Sequence, residues 1–549
     1  MDINDILKYI NLPNLSENIK SAFISLINFI EDLSSENRQL KNEIQQLRDE
    51  NNRLKGEHGK PNIKAKTKDR QEISSEKERN QDNAKSRKKK KRAKKKDINI
   101  NRSERCYLDK SKLPQDAVFK GYKKVVVQDL KIQTDNVEFH KEIYYSKSLH
   151  KTYIAELPQG YKGEFGPTIN GLTIILKNVC NMSEPKIYEF LKTFGIFISM
   201  GKISNILIKD HPQFHQQKTA IVAAGLQTTV YQGIDDTKAR VNGKNYHTHI
   251  LGNRYYTAFF TEQQKNRLTV LKILMNKKEL NYCLNHQALH ILEQLVISKQ
   301  HFKRLKELED EKILNQRQLE NLLTQNFPKL GKQTASKILE ATAIAAYRKG
   351  IGHTVVKALL CDDAPQFKSI CKLMALCWVH DGRHYKKLSP VFKYNATLIN
   401  KFLKKYWKYY RKLVDYKQAP SLEKAEKLSN EFDQLFKTVT GYNELDDRIL
   451  KTLMKKKQLL LVLKYPEIPL HNNDMELGAR VCARKRDVSL HTMTEEGTKA
   501  NDTFLTIVET CKKLDVNPFQ YIIDNIKRTN QFQALALIIR QKHLEACLV

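Results

Sequence analysis

The 549-residue chain has no run of 18 or more apolar residues, so no segment of it reads as a transmembrane helix. Cysteine is sparse: nine copies, an odd number, with no C-x-x-C pair. That excludes a disulfide framework and makes a reducing cytoplasm the expected compartment. The opening MDINDILKYI has an early acid and no basic stretch ahead of an apolar one, unlike a secretory signal. Acids are the scarce charge. Asp and Glu number 61 against 96 Lys and Arg, leaving a net charge of +35. Such an excess points to a polyanionic partner, DNA or RNA, between which charge alone does not choose. Hydrophobic residues make up 40%, enough for packed cores, and the length predicts two to four domains.

Part of the charge is one segment. Residues 85–96, KSRKKKKRAKKK, hold ten Lys or Arg and no acid, so this stretch cannot collapse on itself. Lys88, Lys89, Lys90 and Arg92 within it are candidate phosphate contacts that would not read sequence. A solubilising linker is the plainer reading.

Upstream, Leu26, Leu33, Leu40, Leu47 and Leu54 recur every seven residues. With these at d, the a positions are Phe23, Ile30, Asn37, Ile44 and Asn51, a pattern that favours a parallel two-stranded coiled coil. Glu36, Glu43 and Glu50 fall at g, and Lys41, Arg48 and Lys55 at the following e positions, so each g–e′ pair is opposite in sign. The expectation is a homodimer through residues 23–55. A single amphipathic helix packed on the body is the competing arrangement.

Residues 122–133 and 137–158 are rich in β-branched and aromatic residues and predict short strands. Three short helices follow, in GPTINGLTIILKN, SEPKIYEFLKTFG and ISMGKISNILIKD, with Ser183 and Gly195 as caps of the second. Three short helices in this span fit either a helix-turn-helix module or an ordinary helical subdomain.

Three acidic sites stand out. A β-prone run carries Asp235 and Asp236, and two more strand-like runs, 245–253 and 254–261, complete a meander. An apolar run ends abruptly in Asp362 and Asp363. HNNDMELGARVCARKRD (471–487) opens a helix with Asn472, Asn473, Asp474 and Glu476. Hard divalent cations need oxygen ligands, and one carboxylate from each of three elements could hold two of them for phosphoryl transfer. Singly, each is as compatible with a solvated turn.

The ordered set of IDDT, a strand-end Asp, CWVHDGRHYKKL (377–388) and HNNDMELGARVCARKR (471–486) resembles the insertion-sequence-66 family of DDE transposases. The closing EEGTKANDTFLTIVETCKKLDVNPFQYI (495–522) is similar to that family's last segment. The resemblance covers about 101–525 with gaps, and the coiled coil fits the family's N-terminus. It implies an α/β fold, an RNase H-like mixed sheet with helical insertions. It also implies a triad of Asp235, Asp362 and Glu476 that binds two Mg²⁺ or Mn²⁺, with Asp363 as the alternative at the second position. The long intervals between the acids predict helical insertions near 284–323 and 393–460. Three departures are visible. Cys106 is the only Cys before Cys180, so the family's zinc-binding segment is degenerate here. His471 replaces the first Asp of the third motif, and the first insertion is longer than the family leads one to expect.

Other groups admit two readings. Cys371, Cys377, His380 and His384 could be zinc ligands or part of a core helix. His380 and Arg383 could face DNA in the family arrangement, as could Arg480, Arg484, Lys485 and Arg486, which follow Glu476. KFLKKYWKYYRKL (401–413) predicts an amphipathic helix with a basic face, on which Trp407 could stack on a base. The expected organisation is a coiled coil (1–60), a basic linker (61–100), a DNA-binding region (101–215), a catalytic domain (216–525) and a helical tail (526–549). The expected activity is cleavage of double-stranded DNA at element ends and strand transfer into target DNA. A binding-only derivative and an RNase H-like nuclease or resolvase are the alternatives.

Overall fold

The computed structural model describes residues 16–54, 100–109, 113, 114, 116–161 and 163–548. The basic run 85–96, with Lys88, Lys89, Lys90 and Arg92, lies outside the described residues.

Helix α1 (Glu17–Leu54) spans the heptads, and Leu26, Leu33, Leu40, Leu47 and Leu54 are all exposed on it. Its opposite side, at Ile27, Asn28 and Glu31, is buried. A short antiparallel pair follows, β1 (Ile143–Ser146) and β2 (Lys151–Ile154). No strand forms over 122–133, contrary to expectation: Val125, Val127, Leu130 and Ile132 are exposed. Branched side chains favour a strand only where a pleated, half-buried surface receives them, and here none does.

Four helices come next: α2 (Pro167–Asn178), α3 (Glu184–Thr193), α4 (Met200–Ile208) and α5 (Pro212–Leu226). Ser183 precedes α3 with Pro185 inside it, and Gly195 beyond its end takes a φ of +72°. Ile174, Ile187, Leu191 and Ile203 join the same core as the residues downstream. The boundary expected at 215/216 therefore falls within α5, whose Ile221 and Val222 are core.

The central sheet has the order β5-β4-β3-β6-β7. Strands β3 (Tyr231–Val241), β4 (Lys244–Gly252) and β5 (Thr257–Glu262) form the antiparallel meander. Strands β6 (Ala358–Cys361) and β7 (Leu373–Leu376) extend it in parallel from β3. Between β5 and β6 lie α6 (Arg267–Leu274), α7 (His286–Leu295), α8 (Lys299–Glu307), α9 (Gln316–Asn326) and α10 (Lys332–Lys349), the first expected insertion. After β7 comes α11 (Trp378–Lys386), then the second insertion, α12 (Lys393–Gln418), α13 (Leu422–Phe436) and α14 (Asn443–Leu453). The chain closes with α15 (Asn473–Ser489), α16 (Glu495–Lys513), α17 (Pro518–Lys527) and α18 (Leu535–Leu548). No helix among the described residues is long and apolar enough to cross a membrane.

Two packing details hold the sheet in place. The outer edge of β5 is closed by α16: the backbone N–H of Thr261 donates to Asp502 at 2.6 Å, and that of Phe259 to Thr506 Oγ1 at 3.1 Å. An edge covered this way cannot pair with another chain. In the second insertion Tyr406, Tyr409, Phe432 and Phe436 pack around Trp378. The basic residues of 401–413 face out while Phe402, Tyr406, Tyr409, Tyr410 and Leu413 face in, as the amphipathic pattern predicts. Trp407 is also buried, so it is packed in the core and cannot stack on a base.

Candidate active site

The register of two strands sets the site. In the parallel pair β3–β6, Gly233 lies opposite Leu360. Two residues further on, Asp235 within β3 comes level with Asp362, the first residue past β6. The third acid comes from α15. Asn472, at the start of that helix, donates through Nδ2 to the Ile234 carbonyl at 2.7 Å. Gly233 makes this approach possible, since a Cβ there would lie 2.9 Å from Asn472 Oδ1 and 3.0 Å from Met475 Cγ. Gly478 does the same one turn later, where a Cβ would lie 2.8 Å from Ile250 Cγ2. Glu476, between these contacts, is carried over β3 and buried.

The three carboxylates act on one another. Burial pushes Asp235 up to about 7, the negative charges of Asp362, Glu476 and Asp236 add to the rise, and the Asp236 N–H bonded to its Oδ1 opposes it. A carboxyl shifted by burial and by like charges is a mark of acids gathered for a purpose.

Glu476 is clasped from α11. Arg383 Nη2 donates to Glu476 Oε2 at 3.0 Å, and Arg383 Nη1 lies 3.1 Å from His380 Nε2. An arginine can only donate, so Nε2 is the acceptor and the imidazole proton sits on Nδ1. That nitrogen faces Glu476 Oε1 at 3.6 Å. The C-W-x-H-x-x-R motif thus supplies both groups that orient the third acid, one helical turn apart. Its Cys377 accepts from the Asn472 N–H at 3.4 Å. Its Trp378 sends Nε1–H to the Leu459 carbonyl at 2.9 Å. Cys377, His380 and Glu476 come close enough together to hold an ion. Yet burial pushes the Cys377 thiol up to about 11, and the His380 nitrogen facing Glu476 carries a proton, so these groups fit a clasp better than a soft-metal site. The four-residue zinc set is not gathered, since Cys371 and His384 lie outside this group.

The neighbouring acids are otherwise committed. Asp363 is paired with Lys455 at 2.6 Å and Lys368 at 3.1 Å. Burial alone would raise its carboxyl, but the two ammonium groups hold it below the ordinary value. Asp236 accepts from Gln366 at 2.7 Å and pairs with Lys265 at 3.4 Å. Asp362 and Asp235 are thus set apart from their neighbours by partners that sequence could not show.

A cavity of about 1370 Å³ opens at Asp362. Lys368, Lys387, Lys451, Lys455 and Arg448 line it along with His380 and Arg383. Of the remaining basic candidates, Arg480 and Arg484 are exposed and follow Glu476 at four-residue steps on α15, so they share its face. Lys485 is buried and donates to Asn178 Oδ1 at 2.5 Å, and Arg486 donates to the Lys238 carbonyl. Lys485 therefore does not share the exposed face of Arg480 and Arg484.

A family model described as Transposase IS66 family matches residues 331–500, a span that includes Asp362, the clasp and Glu476. The chain is also 31% identical over 323 residues, 58% of its length, to 99% of the uncharacterized protein y4jO of Sinorhizobium fredii (strain NBRC 101917 / NGR234). The chain belongs to the IS66 family of transposases. Within that family setting, Gly233 and Gly478 are positioning residues that sequence reasoning passed over. The signal available for them was slight: a glycine two residues before an acid on a strand, and another two residues after one on a helix.

Proposed function

We propose that this IS66-family chain is a DNA transposase that cuts double-stranded DNA at element ends and joins the freed 3′ ends to target DNA. The observation that carries the reading is the convergence of Asp235, Asp362 and Glu476 from β3, β6 and α15 beside a cavity lined with lysines. The sheet order, with two antiparallel strands on one side of β3 and two parallel strands on the other, fits an RNase H-like core. Three carboxylates supply hard oxygen donors, which suit Mg²⁺ or Mn²⁺, and Asp235 rises towards neutrality chiefly through burial, with the charges of Asp362 and Glu476 adding to it. Two such ions, when bound, would favour the attacking and the leaving oxygen of an in-line displacement.

The chain's own groups have distinct tasks. Arg383 and His380 hold Glu476 in one orientation. Lys451, Lys455 and Lys387 offer charge to the phosphate backbone, and Arg480 and Arg484 extend that field along α15. Helices α2 to α4 supply the remaining grip on element ends. Gly201 and Asn205, with Lys209 just past its end, form the outward side of α4, whose inward side packs on α16. The exposed leucines of α1, with Asn37 and Asn51 among the a positions, pair two copies in parallel. The site of action is the nucleoid.

The test uses the purified full chain, end-labelled duplex carrying the element end, and Mg²⁺. Nicking and joined products are expected from the wild type. Asp235→Asn is expected to bind the duplex and cut nothing. Wild-type cutting by that variant would remove Asp235 from the site, and cut products that are never joined would make the chain a nuclease instead.

A further inference from the structure

A second cavity, of about 360 Å³, shares no lining residue with the acid cleft. It lies between the tip of the β3–β4 hairpin, the end of α15, and helices α2 and α4. Its floor is apolar, with Leu207 and Ile208 from α4 and Phe504 and Leu505 from α16. Its size and lining match those of small-ligand sites, which are mostly apolar with a few placed polar groups.

Two lysines stand in its wall. Lys177 Nζ donates to Ser489 Oγ at 3.1 Å, and Lys485 Nζ donates to Asn178 Oδ1 at 2.5 Å. Both acceptors are neutral, and among the described residues neither lysine takes part in an ion pair. Asp502, the carboxylate whose charge reaches Lys485, is already bonded to the Thr261 N–H and hydroxyl. Lys485 is 7% exposed. Burial pushes it down to about 7, and the positive charge of Lys177 adds to the fall. Burial lowers Lys177 as well, against the pull of Glu184. Two desolvated, mutually repelling amines with only neutral acceptors are relieved by an anion between them. Lys238, Arg240 and Arg486 on the lining add to the positive field.

We propose that this cavity binds a nucleotide unit, with its phosphate against Lys177 and Lys485 and its base over the apolar floor beside Phe504. Two sources present that chemistry: a free deoxynucleotide, and an unpaired nucleotide within a DNA strand. The second rests on the DNA-processing function proposed above, and the first does not. Chain geometry allows the second. Arg240 is five strand residues from Asp235, about 17 Å, and Lys485 is nine helix residues from Glu476, about 14 Å. A strand leaving the acids along β3 and α15 reaches the cavity within a few nucleotides.

The experiment titrates the full chain with dAMP, with inorganic phosphate and with a short fluorescein-labelled single strand, without divalent cation. Two variants are compared. Lys485→Met removes the charge and keeps the shape, while Ser204→Trp fills the cavity from α4 and leaves every charge in place. Both are expected to weaken nucleotide binding by about tenfold or more, on the order of 1.4 kcal/mol, with an unchanged melting temperature in at least the second. If dAMP binds and the variants lose it, the free nucleotide is a ligand. If only the labelled strand binds and the variants lose it, the ligand is strand-borne. Binding that neither variant weakens overturns the proposal, as does phosphate binding as tightly as dAMP, which would leave the base without a seat. Asp235→Asn is expected to keep this binding in full. A wild type that never cuts DNA yet binds dAMP here would sink the proposed reaction and not the pocket.

Discussion

Arg383 reaches across 93 residues of sequence to donate to the buried Glu476 carboxylate at 3.0 Å. The pair joins α11 to α15 and fixes the third acid against the two carried by β3 and the end of β6. Removing one partner of a buried pair leaves the other charge unmatched and costs about 3–5 kcal/mol. Arg383→Gln is therefore expected to lower the melting temperature and to cut strand cleavage by on the order of 10²-fold, because a small displacement of a reacting group has that effect. Arg383→Lys should recover part of the stability but little of the cleavage, since a single ammonium cannot serve Glu476 and His380 together. Cleavage by Arg383→Gln at the wild-type rate would remove the clasp from the mechanism.

Asp235 carries a pH signature. Its carboxyl is held at about 7 against an ordinary 3.8, so between those values the folded chain keeps a proton that the unfolded chain has lost. The resulting stability is full below about pH 4 and declines as pH rises towards 7. In chelator, thermal unfolding should show this decline, and Asp235→Asn should flatten it. Mn²⁺ added at pH 8 should raise the melting temperature of the wild type and not that of the variant. A wild-type profile that is flat across this window would contradict the gathering of the three carboxylates.

Asp362 and Asp363 separate by partner. Asp363→Asn breaks contacts with Lys455 and Lys368 that are partly exposed, so a loss of at most about 1 kcal/mol is expected, with cleavage retained. Asp362→Asn should leave stability near the wild type and abolish cleavage. The reverse outcome in a cleavage assay would exchange the two assignments.

Helix α1 presents two faces with opposite fates. Glu31 accepts from the Val391 and Phe392 N–H groups at 2.9 and 3.1 Å and from Asn395 at 3.2 Å, capping the start of α12. Asn28 donates to the Gly441 carbonyl at 3.0 Å, and Arg38 to that of Ser389 at 3.1 Å. Glu31→Ala leaves those donors buried and unmet, at a cost of about 1–3 kcal/mol. Limited proteolysis should then release α1 sooner. Leu33→Lys with Leu40→Lys alters only exposed positions, so the monomer's stability should stay within about 0.5 kcal/mol. The same pair should shift the sedimentation coefficient from dimer to monomer, and an unchanged coefficient would remove the leucine stripe from the dimer contact.

Legibility in the sequence followed the range of the interaction. The meander, the apolar run ending in Asp362 and the helix from Asn473 were visible because alternation and local caps are written within a few residues. The heptads were visible for the same reason. The pairing of Asp363 was not, because Lys455 comes from the far end of the second insertion. Trp407 looked available on a basic helix, but the ridge that buries it belongs to neighbouring chain segments such as Gly382, where a Cβ would lie 2.7 Å from its ring. Lys485 read as a candidate DNA contact because Asn178 of α2, to which it donates, lies 307 residues away in sequence. Residues 122–133 have the composition of a strand, yet no partner reaches them, and composition alone does not supply one.

The Glu31 cap also sets an order of events in synthesis. The N–H groups it accepts from lie 360 residues downstream, so at roughly 5–20 residues per second α1 leaves the ribosome some tens of seconds before the segment that will hold it. If the leucine face pairs two copies as proposed, two nascent chains on one message would be able to zip together while neither has yet made its second insertion. Pairing of this kind would favour copies born from the same transcript, and so from the same element.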